Sequence, residues 1–84
     1  MHIGIVARLD IPKSVELVKE MVKFLLNKEI QISIDNDLTQ EIPELKKMGV
    51  ELQNMEVDMI IAIGGDGTIL RTQSFVNGKK IPIF

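Results

Sequence analysis

Cysteine is absent from this chain of 84 residues, and so are tryptophan and tyrosine. Without a thiol there is no disulfide framework and no thiolate metal site, which suits a reducing compartment, expected here to be the cytoplasm. Only three phenylalanines occur, too few for a platform on which bases stack. The formal net charge of −2 lacks the basic excess of a nucleic-acid surface. No apolar run approaches the roughly 20 residues of a membrane span. His2-Ile3-Gly4-Ile5-Val6 is too short for a signal peptide and leads straight into polar sequence. The expected partners therefore include neither nucleic acid nor membrane. Two phosphate-binding fingerprints are missing as well. The first apolar stretch runs into Arg8-Leu9-Asp10-Ile11-Pro12 without a glycine, so the spaced glycines of a dinucleotide-binding turn are absent. No glycine pair is followed by the Gly-Lys-Ser/Thr order of a P-loop.

What is present centres on Met59-Ile60-Ile61-Ala62-Ile63-Gly64-Gly65-Asp66-Gly67-Thr68-Ile69-Leu70-Arg71. The isoleucine-rich run reads as a strand buried on both faces. Gly64 and Gly65 let the backbone turn and leave room for a ligand to approach the main chain. Thr68 is placed to cap a helix starting near Ile69. Asp66 then sits on a glycine loop at the carboxyl end of a central strand, just ahead of a helix N-terminus. Ligands of open α/β sheets bind at that end, and helix N-termini attract phosphate.

The rest of the chain supports one small α/β domain. His2 to Ala7 reads as a first strand. Asp10 or Ser14 is a candidate cap for the next helix, with Pro12 near its first turn. Val15, Val18, Met21, Val22, Leu25 and Leu26 recur at helical spacing, opposite Glu16, Lys19, Glu20 and Lys23. Asn27-Lys28 ends that helix. Ile30, Ile32 and Ile34 alternate with polar residues as a second strand with one wetter face, and Asp35-Asn36-Asp37 ends it. Thr39 to Gln53 gives a weak signal, with a short helix expected over 43–48 closed by Gly49. Val57 to Ile63 is the third strand. Ile69, Leu70, Phe75 and Val76 give the following helix a partial apolar face, and Asn77-Gly78 ends it. Lys80 to Phe84 reads as the start of a fourth strand, at which the chain stops. A β-α-β-(α)-β-α-β order implies a parallel sheet with helices on its faces.

The Gly64-Gly65-Asp66-Gly67-Thr68 loop offers backbone donors around one carboxylate. The donors suit a phosphate oxygen. The carboxylate would repel that phosphate unless it binds a metal ion or accepts a proton. Phosphoryl transfer to a hydroxyl uses both positioning of the charged group and a base near the nucleophile. The spacing alone leaves a second reading open, a solvated and inert Asp in a tight glycine-rich turn.

Gly-Gly-Asp-Gly-Thr at the end of an apolar strand resembles the signature of a kinase superfamily. It comprises NAD kinases, diacylglycerol and sphingosine kinases and, more distantly, phosphofructokinases. The continuation Ile69-Leu70-Arg71 is similar to that of NAD kinases, whereas lipid kinases usually place Asn-Glu where Leu70 and Arg71 stand. His2-Ile3-Gly4-Ile5-Val6 resembles the NAD kinases' first strand, and Ile81-Pro82-Ile83-Phe84 stops just short of their Gly-hydrophobic-Asn segment. The resemblance implies an N-terminal α/β domain over residues 1–84, a three-layer, Rossmann-like parallel sheet truncated at Phe84, with the family's β-rich second domain absent. It implies phosphorylation of the adenosine ribose 2′-hydroxyl of NAD by ATP or polyphosphate, giving NADP. By motif match, Asp66 would accept the hydroxyl proton, and Asp66 and Gly67 would contact NAD. Arg71 would contact the dinucleotide or the phosphates. Gly64 and Gly65 would admit phosphates to the backbone, and Thr68 would orient the loop. A divalent metal, usually magnesium, would accompany the donor, with no metal-ligand set assigned in this chain. The full-length protein would be a homo-oligomer, a dimer or tetramer, and the fragment alone would be inactive.

Other residues have plainer readings. Arg71 could be a solvated surface cation and His2 a structural residue. Arg8 and Asp10 follow the first strand and could line the same cleft or simply cap the helix. Asp35 ends the second strand, where dinucleotide-binding domains carry an acidic ribose ligand, but without the glycine fingerprint that parallel has little force. The rival functions are a lipid kinase and a non-catalytic nucleotide-binding module.

Overall fold

A computed structural model of the protein describes residues 1–8, 12–76, 79 and 81–84. The first strand, β1 (His2–Ala7), is followed by helix α1 (Pro12–Asn27), strand β2 (Gln31–Asp35) and helix α2 (Asn36–Glu41). A 3-10 helix over Pro43–Met48 leads into the two-residue strand β3 (Gly49–Val50). After a 3-10 turn at Leu52–Asn54 come strand β4 (Met59–Ile63) and helix α3 (Asp66–Val76). The sheet order is β3-β2-β1-β4, and every pairing is parallel. Residues 81–84 extend the sheet beyond β4: the Ile60 amide donates to the Pro82 carbonyl at 2.9 Å and the Phe84 amide to the Ile60 carbonyl at 2.8 Å. Of the expected fourth strand only an isolated parallel bridge of Ile83 to Ile60 forms among the described residues, while Lys80 and the Asn77-Gly78 helix end lie outside them, as does Asp10.

Period-two alternation in β1 sorts the core into two layers. Ile3, Ile5 and Ala7 face α1 and α2, packing with Val18, Val22, Leu25, Ile34, Leu38 and Ile42. Val6 faces the opposite side, with Leu52, Met55, Ile60 and Val76. Helices therefore cover both faces of the sheet, the three-layer α/β arrangement the sequence led us to expect. Gly4 points into the second layer, where a Cβ would run into the Met55 sulfur, so this glycine lets Met55 reach the sheet.

Helix α1 begins at Pro12, which puts Ser14 inside its first turn instead of at the cap. Leu26, assigned to the apolar face, is exposed, because that face is filled by Val18, Val22 and Leu25. The helix closes with a Schellman motif: the Ile30 amide donates to the Leu25 carbonyl and the Glu29 amide to the Leu26 carbonyl, with Glu29 in the left-handed region at φ 60°.

The middle of the chain holds more structure than the sequence pattern announced. β2 ends at Asp35, as read, and α2 starts directly at Asn36 and buries Leu38. The expected helix over 43–48 forms as a 3-10 helix, and Gly49 opens β3. β4 starts at Met59, two residues later than read, and no helix among the described residues is long and apolar enough to cross a membrane.

Candidate functional site

The loop Gly64-Gly65 joins the end of β4 to α3 at the carboxyl edge of the sheet. The Gly65 carbonyl already accepts the amides of Thr68 at 3.0 Å and Ile69 at 3.3 Å. The helix therefore starts at Asp66, and Thr68 lies buried within its first turn instead of capping it. Glycine is itself acceptable at a cap position. Asp66 is the first residue of α3 and is exposed, where a negative charge complements the helix dipole.

The three glycines of the loop do different things. Gly64 has φ +148°, a conformation side chains rarely adopt. A Cβ there would also stand 2.6 Å from both the Arg8 Cγ and the Thr68 Oγ1. The space over Gly64 is thus already filled by the stem of Arg8, whose own amide donates to the Ile63 carbonyl at 3.0 Å. At Gly65 and Gly67 a Cβ would meet nothing within 4 Å. Those two, not Gly64, leave backbone open to a ligand.

A cleft of about 570 Å³ lies beside this loop, lined by Ala7, Arg8, Asp35, Asp37, Gly67, Thr68 and Arg71. That volume lies within the usual range of small-molecule sites. Its position at the carboxyl ends of β1 and β2 is where parallel sheets bind ligands. Another cavity, of about 430 Å³, lies at the opposite end of the sheet and is lined by His2, Glu56, Val57, Asp58, Lys79 and Ile81. It borders neither the glycine loop nor the carboxyl ends of the strands.

Arg71 is not a simple solvated cation. One terminal nitrogen donates to Asp35 Oδ2 at 3.1 Å and the other to Asp37 Oδ2 at 2.9 Å. Its guanidinium carbon lies 5.8 Å from the centre of the Phe75 ring, one helical turn on. Burial, helped by the Asp37 charge, pushes the Asp35 carboxyl above the usual carboxylate range against the downward pull of Arg71. The sequence reading set Asp35 aside and gave Asp37 no role beyond ending the strand. The available signal was their place at the end of β2, beside β1, but the partner lies on α3 and only the folded chain joins them.

Of the sequence-predicted site residues, Gly67, Thr68 and Arg71 line the cleft, and Asp66 immediately precedes Gly67 on the exposed first turn. His2 lies at the far end of β1, with Nε2 2.6 Å from Ser33 Oγ, as expected of a structural residue. Among the described residues no group of three or more His, Cys, Asp or Glu side chains is placed to hold a metal ion. Asp35 and Asp37, the two carboxylates that line the cleft, are engaged by Arg71.

Comparison with known proteins matches residues 3–84 to the family described as ATP-NAD kinase N-terminal domain. The NAD kinase of Methanothermobacter thermautotrophicus is 49% identical over 83 residues, covering 99% of this chain and 29% of that protein. The NAD kinase of Thermococcus sibiricus is 39% identical over 84 residues, covering 99% of this chain and 30% of that protein. The bifunctional NADP phosphatase/NAD kinase of Methanocaldococcus jannaschii is 39% identical over 80 residues, covering 95% of this chain and 13% of that protein. This chain therefore spans no more than about three-tenths of the length of these relatives. The match runs through both core layers, the glycine loop and the cleft-lining residues, and the chain belongs to the ATP-NAD kinase N-terminal domain family.

Proposed function

We propose that the protein containing this chain is an NAD kinase, transferring a phosphoryl group from ATP or inorganic polyphosphate to the 2′-hydroxyl of the adenosine ribose of NAD. The observation that carries the proposal is a Gly-Gly-Asp-Gly-Thr loop set beside a cleft at the carboxyl edge of the sheet, in a chain of this family. In the reaction the 2′-oxygen forms a bond to the terminal phosphorus while the bond from that phosphorus to its bridging oxygen breaks. The donor leaves one phosphate shorter, and the hydroxyl proton passes to the Asp66 carboxylate. A carboxylate is a weak base, so it takes the proton as the oxygen's acidity rises along the path.

The neighbouring residues divide the remaining work. Gly65 and Gly67 present open backbone to NAD and to phosphate. Gly64 seats the Arg8 stem and gives the loop its turn. Thr68, buried in the first turn, fixes the loop against the helix. Arg71 supplies a cation for a phosphate of either nucleotide. A divalent ion, magnesium by expectation, would neutralise donor phosphates. Magnesium is commonly held by one or two carboxylates together with substrate phosphates. The described residues build no cage of their own for it.

With this activity we propose a homo-oligomeric assembly, dimer or tetramer, in the cytoplasm, and no turnover by the 84-residue chain alone. The test is incubation of the full-length protein with NAD, magnesium and either ATP or polyphosphate, reading NADP with an NADP-specific dehydrogenase. NADP formation supports the proposal and identifies the donor. A folded protein that phosphorylates diacylglycerol but makes no NADP would refute it.

A further inference from the structure

The cleft contains a charge arrangement that the proposed reaction has not used. Arg71 rises from α3 one turn after Gly67, so its side chain passes over a residue with no Cβ. The side chain of Asp35 is only 5% exposed and that of Arg71 is 40% exposed, so the pair ties an open cation to a buried anchor. Asp37, 58% exposed, takes the second terminal nitrogen from the rim. Phe75 holds the guanidinium from its own helix. A guanidinium has five N–H donors. Two are used here, one on each terminal nitrogen, which leaves three for another anion.

We propose that Asp35 and Asp37 are positioning residues for phosphate recognition: from the β2–α2 junction they fix the Arg71 guanidinium across the cleft, with its remaining donors free for a nucleotide phosphate. The proposal rests on the reading that Arg71 meets such a phosphate. An arginine already held in place loses less freedom when it binds, and its planar fork suits a phosphate better than a lysine would. A purely structural staple predicts something different. Such a pair would stabilise the fold, yet burial, together with the Asp37 charge, raises the Asp35 pKa against the pull of Arg71.

The test is a double-mutant cycle in the full-length protein, with KM for ATP and for NAD, kcat and thermal melting measured for each variant. Arg71→Met is expected to raise the KM of one nucleotide by roughly tenfold or more. Asp35→Asn is expected to raise the same KM by a similar factor, with the melting temperature unchanged or higher. Combining the two should do no more than Arg71→Met alone, because Asp35 acts only through Arg71. If Asp35→Asn fails to fold, Asp37→Asn, at the exposed rim, completes the same cycle. Wild-type KM in the carboxylate variants beside a raised KM in Arg71→Met would overturn the inference and leave the phosphate contact standing. Fully additive effects, or a loss of stability with no change in KM, would also overturn it. A wild-type KM in Arg71→Met would remove the phosphate contact and the inference together.

Discussion

Replacing each loop glycine with alanine separates the residue that shapes the loop from those that leave it open. At Gly64 the added methyl meets two penalties. The φ of +148° strains any side chain by about 1 to 3 kcal/mol. The Cβ would also lie 2.6 Å from Arg8 Cγ and from Thr68 Oγ1, and overpacking of this kind typically costs about 1 to 3 kcal/mol. Together these predict destabilisation by roughly 2 to 6 kcal/mol, a large part of a typical domain's stability of about 5 to 15 kcal/mol. At Gly65 and Gly67 nothing lies within 4 Å of the added methyl. Gly67 is helical, so alanine there should stabilise by up to about 1 kcal/mol. Both substitutions nevertheless put a methyl where a ligand would approach the backbone. Denaturant unfolding and nucleotide binding, measured on each variant of the full-length protein, should diverge. Gly64→Ala should lose stability, while Gly67→Ala should keep or gain it and lose about tenfold or more in binding. A Gly64→Ala protein as stable as wild type, or a Gly67→Ala protein with wild-type affinity, would refute this division of roles.

Three further outcomes follow from the packing and the charges. Between the usual carboxylate range and its raised folded value, native Asp35 holds a proton that the unfolded chain has released, so stability falls as pH rises through that window. Asp35→Asn lacks that slope, and melts taken at steps from about pH 4 to 7 should show the variant gaining on wild type as pH rises. Gly4→Ala drives a methyl into the Met55 sulfur and should destabilise by about 1 to 3 kcal/mol, with Met55→Ala in the same chain relieving part of the added loss. Val18→Ala, in the fully buried centre of the α1 layer, should cost about 2 kcal/mol or more by denaturant unfolding, whereas Leu17→Ala, on the exposed side of the same helix, should stay within about 0.5 kcal/mol.

The sequence was most informative where local pattern and tertiary environment agree. The isoleucine run of β4 and the apolar run of β1 marked two paired parallel strands, although β4 ends the order β3-β2-β1-β4 and is fully buried only at Ile60, and the spacing of Val18, Val22 and Leu25 marked the buried face of α1. Legibility failed where tertiary contacts override local cues. Helix α2 went unread, because it is held by burial of Leu38 and carries no periodic pattern of its own. Thr68 read as a cap, yet the Gly65 carbonyl starts the helix sooner and Thr68 ends up buried. Leu26 read as core because spacing alone cannot say how wide a face the sheet covers. In the cleft, the glycine loop and Arg71 were visible from their motif. The role of Gly64 as a seat for Arg8, and the tie of Arg71 to Asp35 and Asp37, depend on elements far apart in the chain, and no periodicity encodes them.

The central claim is that Asp66, at the first turn of α3, takes the proton from the hydroxyl being phosphorylated. The direct measurement is the rate of NADP formation from NAD by the full-length protein and by its Asp66→Asn variant, each shown to be folded by circular dichroism. The side chain is exposed at the helix end, so the substitution should leave the fold intact. The account predicts NADP from the wild type and a loss of about a hundredfold to ten-thousandfold in the variant, the usual contribution of a positioned general base. NADP formation at equal rates by both proteins would contradict it.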